Sequence, residues 1–157
     1  GLMMIPLVLG SLFSKPIIRP LIQRVGYRRF LLINTILVGL CIASFSLMTA
    51  ATPLWLKISH LFIFGTLNSL QFVGMNTLTL KDLPQQDASS GNSFLSMIMM
   101  LSMSIGVALA GTLINVFGQH VSTASITTAF HATLVTLGCI NLITALVFWQ
   151  IPKEMAD

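Results

Sequence analysis

The stretch MNTLTLKDLPQQDASSGNSFLSMIMMLSMSIGVALAG, residues 75–111, decides how this chain folds. It begins in an apolar run, passes through a segment with Lys81, Asp82 and Asp87, and continues as an uncharged run rich in Ser, Gly, Ala and Met. Apolar runs on both sides of a short polar segment predict two membrane spans joined on one side of a bilayer. The small residues of the second run predict close packing against other helices.

The composition of the whole chain supports the same prediction. Of 157 residues, 55% are hydrophobic and only 8% are charged, whereas a soluble domain carries roughly 25% charged residues. We therefore expect an all-α integral membrane protein in contact with a lipid bilayer. The net charge of +4 is spread between the apolar runs, so it indicates topology and no nucleic-acid partner is expected. Neither the two cysteines nor the three histidines show metal-ligand or catalytic spacing, so we expect no metal, no cofactor and no enzymatic activity.

Five apolar runs are long enough to cross a bilayer, which takes about 20 residues each. The predicted spans are residues 1–21, 30–49, 54–77, 92–117 and 129–151, with a polar elbow at 78–91. A D-x-x-Q pattern that starts at Asp82 predicts a short surface helix in the elbow. The chain begins at Gly1 without a basic segment before its first span, so we expect it to be a piece of a longer protein.

Basic residues are distributed unevenly between the two sides of the predicted membrane. The connections after the first and third spans, together with the tail, contain Arg24, Arg28, Arg29, Lys81 and Lys153. The opposite side has only Lys57. The positive-inside rule therefore predicts that the C-terminus and both charged connections face the cytoplasm.

The acidic residues all lie outside the predicted spans. They are Asp82, Asp87, Glu154 and Asp157. Because intramembrane carboxylates are the usual proton relays of pumps and exchangers, any proton-coupling group is expected outside these 157 residues.

Two helical stretches carry candidates for binding a solute. Asn68, Gln71 and Met75 follow an i, i+3, i+7 spacing, so they share one face of the third span. This stripe could line a cavity, or its amides could simply form hydrogen bonds between helices. Met100, in a methionine-rich part of the fourth span, could contribute a flexible apolar surface or serve as an ordinary core or lipid contact.

A ridge of small residues follows the methionines. Ser102, Gly106 and Ala110 are spaced four residues apart, with Gly111 beside them. Such a pattern lets two helix backbones approach closely, so it predicts a helix-packing surface.

Two segments resemble a known family. The segment Arg24-Val25-Gly26-Tyr27-Arg28-Arg29 resembles the end of the cytoplasmic loop motif G-x-x-x-D-R-x-G-R-R of the major facilitator superfamily. Arg24, Gly26 and Arg28 fit the motif, Arg29 adds a charge just past its end, and Gln23 stands where aspartate is expected. The stretches MNTLTLKDLP and ASSGNSFLSMIMMLSMSIGVALAG are similar to the C-terminal region of the 14-span drug:proton antiporters of this superfamily.

The resemblance implies a specific fold and function. The five spans would form most of the C-terminal six-helix half of a major facilitator carrier in a bacterial inner membrane. The carrier would export drugs or other small amphipathic substrates by alternating access, driven by protons. Arg24, Gly26, Arg28 and Arg29 would anchor the cytoplasmic loop.

Two alternatives remain open. One is a nutrient or metabolite carrier of the same superfamily; an anionic substrate would need an intramembrane cation, and Lys15 and Arg19 are expected close to the cytoplasmic side instead. The other is a truncated membrane protein with only a structural or interaction role.

Overall fold

Five long helices joined by short connections make up this part of the chain. The computed structural model describes residues 4–49, 51–81, 83–84, 86–120 and 126–150. The helices are α1 (Ile5–Val25), α2 (Tyr27–Ser44), α3 (Leu54–Leu80), α4 (Ala88–His120) and α5 (Ile126–Trp149). All five are long and apolar enough to cross a membrane, and the described residues contain no strand. The prediction of an all-α fold with five spans is confirmed.

The helices around the elbow are longer than the apolar runs predict. α3 continues to Leu80 and α4 already begins at Ala88. The described elbow residues form turns and bends, and the backbone N–H of Gly91 donates to Asp87 O at 2.9 Å. A helix does start within the elbow, but it is the first turn of α4, and the described elbow residues form no separate surface helix. Asp82 and Gln85, which carry its capping pattern, lie outside the described residues.

A seam of small and hydroxyl-bearing residues joins α1 to α3. Gly10 and Gly65 let the two backbones approach so closely that a Cβ on either glycine would overlap backbone atoms of the other helix. Ser14 Oγ lies 2.7 Å from Ser69 Oγ, and Thr66 Oγ1 lies 3.1 Å from Gly10 O. These short hydroxyl contacts are available only because neither glycine has a side chain to hold the helices apart.

α2 packs against α5 on one side and against α1 and α3 on the other. Gly39 and Gly138 form a close crossing between α2 and α5, with a Cβ on Gly39 only 3.2 Å from Gly138 O. On the side facing α1 and α3, the buried side chains form one apolar cluster, made of Ile18, Phe30, Leu31 and Leu70. α2 is therefore covered on two sides and forms the centre of the bundle.

α4 is the least covered helix. Among its described residues, the most apolar 18-residue window contains no buried position. It contacts α5 and, near the elbow, α3. One helix of this bundle therefore presents most of its surface outward.

We call one end of the bundle the basic end. It is formed by the junction between α1 and α2 at Gly26, the described elbow residues 81, 83–84 and 86–87, and the C-terminal end of α5 at Trp149. Two contacts bring these parts together: Arg28 Nη2 donates a hydrogen bond to Trp149 O, and Lys81 Nζ lies 5.4 Å from the centre of the Tyr27 ring.

Candidate functional site

Gln71, one of the cavity candidates on α3, is engaged with α2. Asn34 Nδ2 donates to Gln71 Oε1 at 2.8 Å and to Leu67 O at 2.9 Å, while Gln71 Nε2 donates to Thr35 Oγ1 at 2.9 Å. Asn34 and Thr35 are each only 3% exposed. Both ends of the Gln71 amide thus take part in an interhelical network, which is one of the two roles that the sequence left open.

The other two α3 candidates lie on an open face of the helix. Asn68 and Met75 are exposed, and so are Phe72 and Thr79, which the sequence analysis did not single out. Met75 is 39% and Phe72 47% exposed. Their i, i+4, i+7, i+11 spacing places all four within a narrow strip of the helix surface. We call Asn68, Phe72, Met75 and Thr79 the open face of α3.

The buried positions of α3 show which parts of the helix its neighbours cover. Leu70 and Gly74 lie across the helix from Phe72 and pack toward α1 and α2. Gly65 lies two turns before Phe72, on nearly the same side, and is covered there by α1. Phe72 and Thr79 could have been found from sequence by extending the Asn68–Met75 stripe by i+4 steps. Within this open face, the Thr79 hydroxyl donates to Met75 O at 2.8 Å, so the free polar group is the Asn68 amide.

The candidates on α4 also face outward. Met100 is 69% exposed. Ser102, Gly106 and Gly111 are exposed as well, and a Cβ added at Gly106 or Gly111 would meet no described atom within 4 Å. The ridge that includes Ala110 thus has no helix against it in the described part of the chain, and its packing role stays a prediction that requires a surface from outside these residues.

The loop-motif residues surround a tight junction between two helices. Gly26 is the single residue between α1 and α2, with φ 80° and ψ 151°. Side chains with a Cβ rarely adopt this conformation, so the glycine of the motif is required by the junction itself. Its N–H donates to Ile22 O at 2.8 Å, and its carbonyl accepts from the Phe30 N–H at 3.0 Å.

A cleft with basic walls opens beside this junction. Its volume is about 850 Å³, and its walls come from the end of α1, the start of α2 and Trp149 of α5. Arg24, Arg28 and Arg29 all line it. Arg24 and Arg29 are exposed, whereas Arg28 is half-buried and donates to the Trp149 carbonyl. We call this feature the basic cleft.

Lys15 lies in the middle of a helix rather than near its end. It is at the midpoint of α1, which continues as a helix through Pro16 and Pro20 to Val25. With a rise of 1.5 Å per residue, Lys15 is about 15 Å from either end of that helix. Lys15 is therefore not at the end of its helix, and its distance from the cytoplasmic side stays a prediction.

The surroundings of Lys15 make it a further candidate. The neighbouring residue Ser14 contacts Ser69, itself near the middle of α3. The Lys15 side chain is exposed and has no hydrogen-bond or ion-pair partner among the described residues. Cations at such a depth are costly and usually mark a functional position.

Five apolar helices, two of them with outward-facing surfaces, and a basic junction between helices are features of a membrane carrier. The chain is a member of the major facilitator superfamily, whose family model matches residues 1–156. Similar curated proteins are each called "Putative multidrug resistance protein MdtD". The identity is 48% for the protein of Escherichia fergusonii, 49% for that of Escherichia coli O1:K1 and 48% for that of Shigella boydii serotype 18. Each alignment covers 98% of this chain and 33% of the relative.

These comparisons confirm the family resemblance that the two sequence segments indicated. The chain spans about a third of the length of the curated relatives it matches. No solved structure matches it. The chain therefore belongs to a superfamily of membrane transporters, and its five apolar helices are long enough for a multi-pass membrane protein.

Proposed function

We propose that the chain forms most of the C-terminal six-helix half of a proton-coupled exporter of drugs or other small amphipathic compounds, which works by alternating access. The open face of α3 is the observation that carries this proposal. Across the helix from Leu70 and Gly74, which are buried against neighbouring helices, it aligns an amide, a phenyl ring and a thioether toward the outside. Superfamily membership and the multidrug-resistance names of the relatives support the same reading.

The chemistry of this face suits amphipathic substrates. The Phe72 ring offers an apolar surface and, through its π-electrons, a site for a positive charge. Met75 adapts to ligands of different shape because its side chain is unbranched and polarisable. The Asn68 amide supplies one polar contact without a fixed charge. In this proposal the open face, with Met100 of α4, forms one wall of the central cavity, and the remaining walls come from outside residues 1–157.

The proton-coupling residues would also come from outside this chain. Its acids are confined to the segments beyond the apolar runs, at Asp82, Asp87, Glu154 and Asp157. A proton relay across a membrane needs a titratable group within the bilayer. We therefore assign coupling to the part of the longer protein that these 157 residues do not include.

The proposed orientation places the basic end in the cytoplasm of a bacterium, with the protein in the inner membrane. The positive-inside rule favours this arrangement because Arg24, Arg28, Arg29 and Lys81 all lie at that end. The C-terminus is then cytoplasmic. A reporter fused after Asp157 should be active only in the cytoplasm, and a periplasmic signal would contradict the orientation.

Ethidium efflux tests the proposed function. In cells without their major efflux systems, the longer protein should lower ethidium accumulation in a manner that a protonophore abolishes. Phe72→Ala and Met75→Ala should each weaken this efflux several-fold, because they remove apolar contact with the substrate. Ile63→Ala is the matched control: Ile63 is also exposed on α3 but lies on the opposite side of the helix from Phe72. Equal loss in all three variants, or no efflux by the longer protein, would contradict the proposal.

Lys15 favours one alternative, a carrier of anionic metabolites in the same superfamily. Its ammonium group at mid-helix could neutralise a carboxylate or phosphate within the membrane. For such a carrier, Lys15→Gln should abolish transport while Phe72→Ala has little effect. For the exporter of lipophilic cations, we expect the reverse ranking.

A structural role without transport is the other alternative, and it concerns the chain by itself. Residues 1–157 provide only one wall of the proposed cavity, so we expect vesicles that contain this chain alone to show no energy-dependent ethidium efflux. Efflux from such vesicles would show that the remaining walls are not needed.

A further inference from the structure

We propose that the basic cleft binds the headgroup of an anionic phospholipid. The cleft lies where α1 ends, α2 begins and α5 ends. All three helices are membrane spans, so the cleft opens at the level where a bilayer changes from acyl chains to headgroups. This inference concerns a site apart from the open face of α3 and does not depend on the direction or substrate of transport.

The charge of the cleft favours an anion. Arg24, Arg28 and Arg29 line it, and no described lining residue is acidic. Arg24 and Arg29 have no hydrogen-bond or ion-pair partner among the described residues. Their guanidinium groups, each with five N–H donors, match the paired oxygens of a phosphate. Lys81, placed over the ring of the lining residue Tyr27, adds positive charge at the same end.

The rest of the lining favours a lipid over a small soluble anion. Ile22, Leu32 and Trp149 give the cleft apolar walls beside the arginines. A cleft of about 850 Å³ is far larger than a phosphate group and has room for the glycerol unit and the first part of an acyl chain. Basic pockets between membrane helices typically hold anionic lipid headgroups, and tryptophan typically lies at the headgroup level.

Arg28 has a separate role in this site. Its Nη2 donates to the Trp149 carbonyl, which connects α2 to the end of α5 and completes the wall of the cleft. It is a positioning residue for the lipid site, since it holds Trp149 beside the arginines. Its other N–H groups remain available for the phosphate.

Native mass spectrometry of the purified, delipidated protein tests the proposal. Phosphatidylglycerol and phosphatidylcholine with identical acyl chains are titrated separately, and the bound fraction is measured. Phosphatidylglycerol should bind more tightly. Arg24→Gln and Arg29→Gln should each weaken its binding about fivefold and together about 25-fold, which is the effect of removing one or two cations close to a phosphate.

The controls distinguish a lipid site in the cleft from a general effect of charge and from a site for a soluble anion. Arg19→Gln removes an exposed arginine of α1 that does not line the cleft, and it should leave lipid binding unchanged. Arg24→Lys combined with Arg29→Lys should retain most of the binding, since the charge is kept. Far-UV circular dichroism confirms that each variant is folded. Equal affinity for both lipids would overturn the proposal, and so would a loss of phosphatidylglycerol binding in Arg19→Gln as large as in Arg24→Gln. Displacement of the lipid by millimolar inorganic phosphate would overturn it in favour of a soluble anion.

Discussion

The seam between α1 and α3 makes a sharp prediction about a single methyl group. In Gly65→Ala, the new Cβ would lie 2.8 Å from the carbonyl carbon and 2.9 Å from the Cα of Leu7, and closer still to its carbonyl oxygen. These are backbone atoms of α1, so no side-chain rotation relieves the overlap. The helices must separate by about 0.5–1 Å, enough to lose a quarter to a half of the dispersion energy at the seam.

The cost follows from the contacts that this separation weakens. Overpacking of a tight interface costs about 1–3 kcal/mol. The hydrogen bond from Ser69 Oγ to Ser11 O, already 3.3 Å long, would be lost, and the 3.1 Å contact between Thr66 Oγ1 and Gly10 O would lengthen. At about 0.6 kcal/mol for each interhelical bond in a membrane protein, these losses bring the total to about 2–4 kcal/mol.

Unfolding by sodium dodecyl sulfate in mixed micelles, followed by circular dichroism, measures this cost. Gly118→Ala is the matched control, because a Cβ at Gly118 meets no described atom within 4 Å. Gly10→Ala should cost a similar amount to Gly65→Ala, and the double variant should cost less than the sum, since one separation of the helices accommodates both methyl groups. A change below about 0.5 kcal/mol in Gly65→Ala, or additive costs in the double variant, would refute the reasoning.

Three further predictions concern other parts of the bundle. Asn34→Leu should lower the free energy of unfolding by about 1–2 kcal/mol in the same assay, because it removes two hydrogen bonds and leaves Gln71 Oε1 without its donor. Gly26→Ala should cost about 1–3 kcal/mol, since alanine is strained at φ 80°, and unchanged stability would count against the junction geometry. Gly106→Leu should leave the stability of residues 1–157 unchanged but reduce efflux by the longer protein, and normal efflux would disprove the predicted packing ridge.

The sequence predicted the number of spans because their signal is local. A run of about 20 residues without charge is sufficient to identify a membrane helix, whatever it packs against. The predicted first span continues past Lys15 and Arg19, which interrupt the apolar run, and ends at residue 21. In the structure α1 reaches Val25, since its helix is stopped by the backbone conformation of Gly26 rather than by a charge.

The direction of individual side chains could be predicted only in part. An i, i+3, i+7 stripe covers a sector wide enough for Asn68 and Met75 to face outward while Gln71 bonds to α2. The partners of Gln71, which are Asn34 and Thr35, are more than thirty positions away in sequence. The basic cleft is equally non-local, because it depends on Trp149 meeting the junction between α1 and α2. Such pairings leave no local signal in a single sequence.

The one-residue junction at Gly26 limits how the bundle can move. A single residue spans at most about 3.6 Å, so α1 and α2 cannot slide along each other by even one helical turn of 5.4 Å. The seven residues between α3 and α4 can extend to about 25 Å. Axial displacement is therefore available to α4 relative to α3, whereas α1 and α2 keep a fixed axial register.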